Sequence, residues 1–254
     1  VKLHVPVAHV EAGMRSFNRE MPEEINRVIT DHIAALHFCS TKEAVSNLRK
    51  EGITSGIHQV GDVMYDCFQA FSTTAAERWQ KTNINEIPDK DFILLTLHRA
   101  ENTENLDTFR SIWSGLSDIA VRTPIIFPAH PRTLRVLKNN NLKITNGIHL
   151  IEPISYFEMI QLEKMADIII TDSGGVQKEA YFAKTPCITI REETEWTELV
   201  NCGWNKLVGS DKDKLIAEVV NIQKSASPNY PGEMYGDGRS SEKIVEIIEN
   251  FVQV

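Results

Sequence analysis

Apolar residues recur along this chain in two rhythms, short unbroken runs and stripes of helical period, and the two alternate. The runs predict strands at residues 5–10, 36–40, 57–60, 92–97, 125–129, 148–151, 168–171 and 187–190. The stripes predict helices at residues 22–34, 41–51, 65–80, 106–121, 131–139, 156–165, 176–182, 194–202, 211–223 and 240–251. In helix 22–34, Ile25, Val28, Ile29 and Ile33 share one face, Pro22 opens the helix, and Glu23 and Glu24 complement the dipole of its first turn. Strands that alternate with helices imply an α/β fold with parallel, doubly wound sheets.

The pattern becomes less regular after Gly61-Asp62, and residues 225–238 form a Pro/Gly-rich loop. Three segments are expected: residues 1–62, residues 63–238 and a last helix in residues 239–254. The first has too few strands for a complete domain and reads as the C-terminal half of a Rossmann-like domain. The second holds a complete alternation of its own. The chain opens Val1-Lys2-Leu3 with no initiator methionine, almost directly in a strand. The expectation is therefore a chain whose first domain is only partly present and which is incomplete for activity.

Composition narrows the class. The chain has 254 residues, 42% of them hydrophobic and 24% charged, as in ordinary globular proteins. A net charge of −8 argues against a nucleic-acid partner. No apolar run approaches the ~20 residues of a membrane span, so no membrane partner is expected. Cys39, Cys67, Cys187 and Cys202 lack C-x-x-C spacing, which argues against zinc and a disulfide framework and fits a reducing cytoplasm. No nicotinamide fingerprint and no metal-ligand cluster is present, so no cofactor is expected.

Polar residues cluster after the predicted strands, where open α/β sheets bind ligands. The strand 168–171 runs into Asp172-Ser173-Gly174-Gly175-Val176-Gln177-Lys178-Glu179. Ser173 is a good N-cap, and glycines at a helix N-terminus let backbone N–H groups approach a phosphate. Glu179 falls one turn beyond Gly175 on the same face, where a carboxylate can accept from the two hydroxyls of a ribose. Glu11 and Arg15 follow strand 5–10; a carboxylate there is either an acid/base group or a loop cap. Glu23 and Arg27 form a favourable i,i+4 pair, by itself a common structural feature. His98 and Arg99 follow strand 92–97 and offer donors to a diphosphate; His130 repeats that placement after strand 125–129. The acidic loop 191–198 contains Trp196, which is unusual for a merely solvated run.

Six motifs occur in order: His9-Val10-Glu11-Ala12-Gly13-Met14-Arg15, Pro22-Glu23-Glu24-Ile25-Asn26-Arg27, Val60-Gly61-Asp62, His98-Arg99-Ala100-Glu101-Asn102, Asp172 to Glu179, and Tyr235-Gly236-Asp237-Gly238. Together they resemble the non-hydrolysing UDP-N-acetylglucosamine 2-epimerases, over the whole chain. The resemblance implies two Rossmann-like domains of GT-B type with the active site in the cleft between them. It implies catalytic carboxylates at Glu11 and Glu23 and a diphosphate contact at His98. It places phosphates at Ser173, Gly174 and Gly175, ribose at Glu179, uracil near Tyr156, and a further substrate contact at Arg27. Glu24, Arg99 and His130 match positions that some bacterial members use to bind a second, activating UDP-sugar. A cytoplasmic homodimer, when full length, that makes precursors of cell-surface polysaccharide is also implied.

Three departures qualify the match. The family's Gly-Thr-Arg-Pro-Glu-type motif and its catalytic aspartate are absent, Ala100 replaces a second arginine, and Trp196 stands where many members have proline. The last variant is similar to relatives that epimerise diacetamido uronic acids. The paired carboxylates suit elimination of UDP across C1–C2 to a glycal, followed by re-addition with the proton on the opposite face. Two rival readings stand beside this one: a GT-B glycosyltransferase, and a non-catalytic module that binds UDP-sugars.

Overall fold

The computed structural model describes residues 1–81, 87, 91–225, 230, 232 and 234–252. Residues 226–229, 231 and 233 of the loop expected at 225–238 lie outside the described residues. The chain divides into two compact units: Val1–Ala70 with Glu195–Glu198 and Pro231–Val254, and Phe71–Thr194 with Leu199–Tyr230.

The first unit carries a parallel sheet of β1 (Ala8–Val10), β2 (Leu36–Cys39) and β3 (Ile57–Gln59), in that order, with Ala8 opposite Leu36 and His37 opposite Ile57. Helices α1 (Pro22–Ile33) and α2 (Lys42–Lys50) connect the strands, and α3 (Val63–Trp79) begins in this unit. The last helix, α11 (Ser240–Val252), packs Ile244 against Leu36, Phe38 and Val60. Asp66 anchors its start, accepting from the Ser240 and Ser241 backbone N–H groups at 3.0 and 2.7 Å. Beside it, Gly61 and Gly236 meet. Both have positive φ, and a Cβ on Gly61 would lie 2.8 Å from the Tyr235 carbonyl oxygen. The Val60-Gly61-Asp62 and Tyr235-Gly236-Asp237 motifs thus form one backbone junction.

Two expectations are corrected in this unit. The strand predicted at 5–10 is only three residues long, and Val5 and Val10 are 59% and 41% exposed. It is an edge strand, paired on one side only by β2. Helix α1 buries Glu24 and Asp31 and leaves Ile25, Ile29 and Ile33 exposed, because its inner face satisfies polar groups of the loop after β1.

The second unit is a six-stranded parallel sheet in the order β6-β5-β4-β7-β8-β9. Its strands are β4 (Ile93–Thr96), β5 (Ile125–Pro128), β6 (Ile148–Ile151), β7 (Ile168–Thr171), β8 (Cys187–Thr189) and β9 (Asn205–Leu207). The helices between them are α4 (Ala100–Thr103), α5 (Leu106–Ala120), α6 (Pro131–Asn139), α7 (Tyr156–Met165), α8 (Gly174–Ala183) and α9 (Thr197–Asn201), and α10 (Lys212–Lys224) follows β9. Alternate strand residues feed opposite faces. Ile93, Leu95, Ile168 and Ile170 pack on Phe109, Leu116 and Leu215, while Leu94, Ile126 and Ile169 pack on Leu162, Val176 and Ala180. Both faces are covered, which is why these strands read as unbroken apolar runs.

This order is that of a doubly wound Rossmann-like sheet. From β4 the chain winds outward to β6, then returns to the other side of β4 as β7. The loops after β4 and β7 therefore part at the carboxyl edge and leave a crevice there. Helix α4 and strand β9 are additions to the sequence-based expectation. Among the described residues, no helix is long and apolar enough to cross a membrane.

Candidate functional site

At the switch point, β4 and β7 pair in register with Thr96 opposite Thr171, and the two hydroxyls are 2.6 Å apart. The residue after Thr171 is Asp172, fully buried. Its carboxylate accepts from the backbone N–H groups of His98 and Arg99 at 2.9 and 2.8 Å, and from Asn102 Nδ2 at 3.2 Å. Asn102 Nδ2 also donates to the Ile190 carbonyl at the end of β8. One buried carboxylate thus fixes the turn that presents His98. The imidazole Nδ1 lies 3.3 Å from Asp172 Oδ1, and the half-open ring sits 5.5 Å from that of His130. His130 caps α6 by accepting from the Arg132 N–H at 3.1 Å. Desolvation, then the neighbouring His98, Arg132 and Arg135, hold its imidazole below the usual histidine range.

On the β7 side, Ser173 is the N-cap of α8 and accepts from the Val176 N–H, while Gly174 and Gly175 are the first helical residues. Without side chains they leave the first N–H groups approachable, at the positive end of the helix dipole. From Val176 to Phe182 the helix is buried. Gln177 locks it in place: its Oε1 accepts from Thr194 Oγ1 at 2.7 Å and Asn205 Nδ2 at 3.2 Å. The expected acidic loop is accordingly not a solvated run, since Arg191, Thr194 and Trp196 are all buried.

Glu179 lies on α8 five residues beyond Gly174 and is largely buried. Burial raises its pKa above the usual carboxylate range, the charge of neighbouring Lys178 acting against it. Tyr156, at the head of α7, stands beside Phe71, whose ring meets it edge-on at 6.4 Å. Arg78 lies over the Phe157 ring at 4.0 Å. The second unit thus brings together Ser173, Gly174, Gly175, Glu179 and Tyr156 as one group, and His98, Arg99 and His130 as another, at the same edge of the sheet.

In the first unit, Glu11 ends β1 with φ +64°, a left-handed conformation that is uncommon outside glycine. Gly13 follows at φ +80°, where a Cβ would lie 2.3 Å from the Ala44 carbonyl oxygen. Arg15 is buried and fully engaged. Its guanidinium donates to both Glu51 oxygens at 2.7 Å and reaches Asp31 at 2.7 Å. Asp31 also bonds His9 Nδ1 at 2.6 Å and accepts from the Gly13 N–H. Burial alone would raise the Asp31 pKa, but the hydrogen bonds from His9 and Arg15 outweigh it and hold it below the usual range.

The i,i+4 pair expected between Glu23 and Arg27 is replaced by an i,i+3 pair, Glu24–Arg27 at 3.1 Å. Glu24 faces inward and also accepts from the Ser16 and Phe17 N–H groups, while Glu23 points to solvent. A cavity of about 610 Å³ opens beside this turn, with Arg15, Arg19, Glu24, Ile25 and Glu51 among its walls.

Sequence reasoning did not assign Asp31, Glu51, Glu163 or Asp172. Asp172 stood inside a quoted motif without a role. Asp31 and Glu51 pair with residues distant in sequence and carry no local signal, and Glu163 is a buried helix residue with no signal of its own.

Residues 1–249 match the family model described as UDP-N-acetylglucosamine 2-epimerase. The chain is 48% identical over 256 residues to a UDP-N-acetylglucosamine 2-epimerase homolog of Methanococcus maripaludis, covering 98% of this chain and 70% of that protein. It is 43% identical to the UDP-2,3-diacetamido-2,3-dideoxy-D-glucuronate 2-epimerase of Pseudomonas aeruginosa, covering 97% and 69%. It superposes with a TM-score of 0.90, at 44% identity over 98% of this chain and 70% of the other, on the crystal structure of Methanocaldococcus jannaschii UDP-GlcNAc 2-epimerase in complex with UDP-GlcNAc and UDP.

Proposed function

The chain belongs to the UDP-N-acetylglucosamine 2-epimerase family, and from that premise we propose that it is an isomerase inverting C2 of a UDP-linked N-acetylated sugar. The fold is α/β, with Rossmann-like sheets of the GT-B type found in these relatives. One observation carries the reading. The N-terminus of α8, capped by Ser173, lies at the switch point beside the Asp172-anchored His98 turn, with Glu179 one turn along the same helix. That arrangement suits a diphosphate followed by a ribose.

In the proposed cycle the Gly174 and Gly175 N–H groups and Ser173 hold the diphosphate, with His98 as a donor to it. Glu179 accepts from the ribose hydroxyls, Tyr156 borders uracil, and Arg27 makes a further substrate contact. The C2 proton of a neutral sugar is not acidic. Departure of UDP from C1 leaves positive charge there and makes the C2 proton labile. Breaking C1–O and C2–H together gives a glycal, UDP and a proton on a carboxylate. Re-addition of UDP to C1 with a proton to the opposite face of C2 yields the epimer. Glu11 and Glu23 supply acid/base groups for the two faces. A positioned proton transfer is worth about 10²–10⁴-fold, and stabilising the leaving diphosphate contributes on a similar or larger scale. The cycle is balanced in electrons and calls for neither oxidant nor metal.

Two substrates fit: UDP-GlcNAc, interconverted with UDP-ManNAc, or a diacetamido uronate, the latter supported by the Pseudomonas relative and by Trp196. We assign Glu24, Arg99 and His130 to a second, activating UDP-sugar, and we propose a cytoplasmic homodimer supplying cell-surface polysaccharide precursors. Four free cysteines fit a reducing compartment. The test is product analysis by NMR. Conversion of UDP-GlcNAc or the diacetamido uronate to its C2 epimer with no acceptor sugar supports the proposal. Release of UDP only when an acceptor is added favours a glycosyltransferase, and binding without turnover favours a UDP-sugar-binding module.

A further inference from the structure

Asp31 lies on the inner face of α1, two turns after Glu24, and is buried. Its carboxylate grips the loop after β1 at points that straddle Glu11. Oδ1 accepts from His9 Nδ1 at 2.6 Å, just before Glu11. Oδ2 accepts from the Gly13 N–H at 3.1 Å, just after it, and pairs with Arg15 Nη1 at 2.7 Å. The helix behind this carboxylate is held in turn, because the buried His37 of β2 donates from Nε2 to the Asp31 carbonyl at 2.7 Å. The loop is also tied to its other neighbours. The Ala12 N–H donates to the Phe38 carbonyl at 3.1 Å, and Asn47 Nδ2 donates to the Gly13 carbonyl at 3.0 Å. Between these ties sits Glu11 at φ +64°, a backbone conformation that an L side chain leaves unless its surroundings hold it. Glu51 already pairs Arg15 at both of its oxygens, so the grip on His9 and Gly13 is not a by-product of neutralising Arg15.

We propose that Asp31 is a positioning residue for the proton transfer: by clamping the chain on both sides of Glu11 it holds that residue in its left-handed turn and ties it to the helix that carries Glu23. The proposal rests on the assignment of Glu11 and Glu23 as the acid/base pair. The two groups come from separate segments, and proton transfer at opposite faces of one carbon demands a fixed spacing between them. Glu23 is part of α1, so the helix itself sets its place. Glu11 is not, and Asp31 joins that helix to the residues on either side of it. Without the clamp the turn relaxes toward an ordinary φ and carries the Glu11 carboxyl away from C2. Misplacing a reacting group by about 1 Å can cost about 10²-fold in rate. The diphosphate and ribose are assigned to residues of the second unit, so the loss falls on kcat and spares UDP binding.

The test is a double-mutant cycle of Asp31→Asn with Glu11→Gln. NMR assays of C2 epimerisation give kcat per folded molecule, and calorimetry gives UDP affinity. Asparagine keeps the size of Asp31 but turns an NH₂ toward one set of donors. Asp31→Asn should lower kcat by about 10–10²-fold and leave UDP affinity within about twofold of wild type. In the Glu11→Gln background, where no acid/base group remains to be aimed, the same change should cost less than about twofold. Equal falls in both backgrounds, or an unchanged kcat in Asp31→Asn while Glu11→Gln is slow, overturn the proposal and leave the Glu11 assignment standing. Should Asp31→Asn not fold, His9→Phe removes one arm of the clamp at a partly exposed position, and the same cycle applies. A fall of about tenfold that vanishes in Glu11→Gln supports the proposal, whereas equal falls, or none, overturn it. If wild type does not epimerise, or if Glu11→Gln turns over at the wild-type rate, the Glu11 assignment fails and the proposal with it.

Discussion

Replacing Asp172 should damage stability and nucleotide binding together, because one buried carboxylate holds the turn that carries His98. Its oxygens accept from the N–H groups of His98 and Arg99 at 2.9 and 2.8 Å and from the Asn102 amide at 3.2 Å. Asp172→Ala leaves all three donors without that acceptor. A buried polar group deprived of its partner costs about 1–3 kcal/mol, so three give an upper sum near 9. Water entry and movement of the half-open turn recover part of this, and a loss of about 3–5 kcal/mol is expected. Asp172→Asn keeps one oxygen and the shape and should lose about 1–2 kcal/mol. Urea unfolding measures the loss, and hydrogen exchange reports the His98 and Arg99 amides individually. UDP affinity should fall in the same order, Ala more than Asn. An Ala variant within about 1 kcal/mol of wild type, with both amides as protected as before, would refute the role of Asp172 as the anchor.

Three further outcomes follow from the first unit. Glu11→Gln and Glu23→Gln preserve shape but remove proton transfer, and each should lower kcat by about 10²-fold or more with a much smaller change in substrate binding; unchanged kcat in either variant removes that residue from the chemistry. Asp31, held below the usual carboxylate range in the folded state, contributes stability that is present above its unfolded pKa and lost as pH falls through its folded value. Stability of wild type and Asp31→Asn should therefore differ at neutral pH and converge in acid, and a constant difference across denaturation curves from neutral to acid pH would contradict the pairing with Arg15 and His9. Gly13→Ala forces a Cβ against the Ala44 carbonyl at φ +80° and should cost about 1–3 kcal/mol in thermal unfolding, whereas a neutral effect would show that the loop yields.

The second unit was the more legible in sequence, for a physical reason. Its strands are covered on both faces, so Ile168 to Thr171 appear as a continuous apolar run. Its helices begin at chemically explicit caps: Ser155 forms a capping box with Glu158, and His130 precedes Pro131. Strand β9 (Asn205–Leu207) has one polar, one charged and one apolar residue in three, and offers no periodicity to read. In the first unit the hydrophobic stripe of α1 pointed to the wrong inner face, because Glu24 and Asp31 are committed to polar groups of the loop after β1. Ser173, Gly174, Gly175 and Glu179 were readable because a strand, an N-cap and a helical spacing occur together locally. Asp172 was not, since its role rests on partners about 73 residues away, at the end of the neighbouring strand β4.

The proposal that this chain is an epimerase working by elimination is tested most directly by turnover of UDP-GlcNAc, or of the diacetamido uronate, in D₂O with NMR detection at C2. Elimination and re-addition predict an epimer carrying deuterium at C2, together with a small pool of UDP and glycal. An epimer with its original hydrogen retained at C2 would contradict the mechanism, because the hydrogen would then have left and returned without exchanging with solvent.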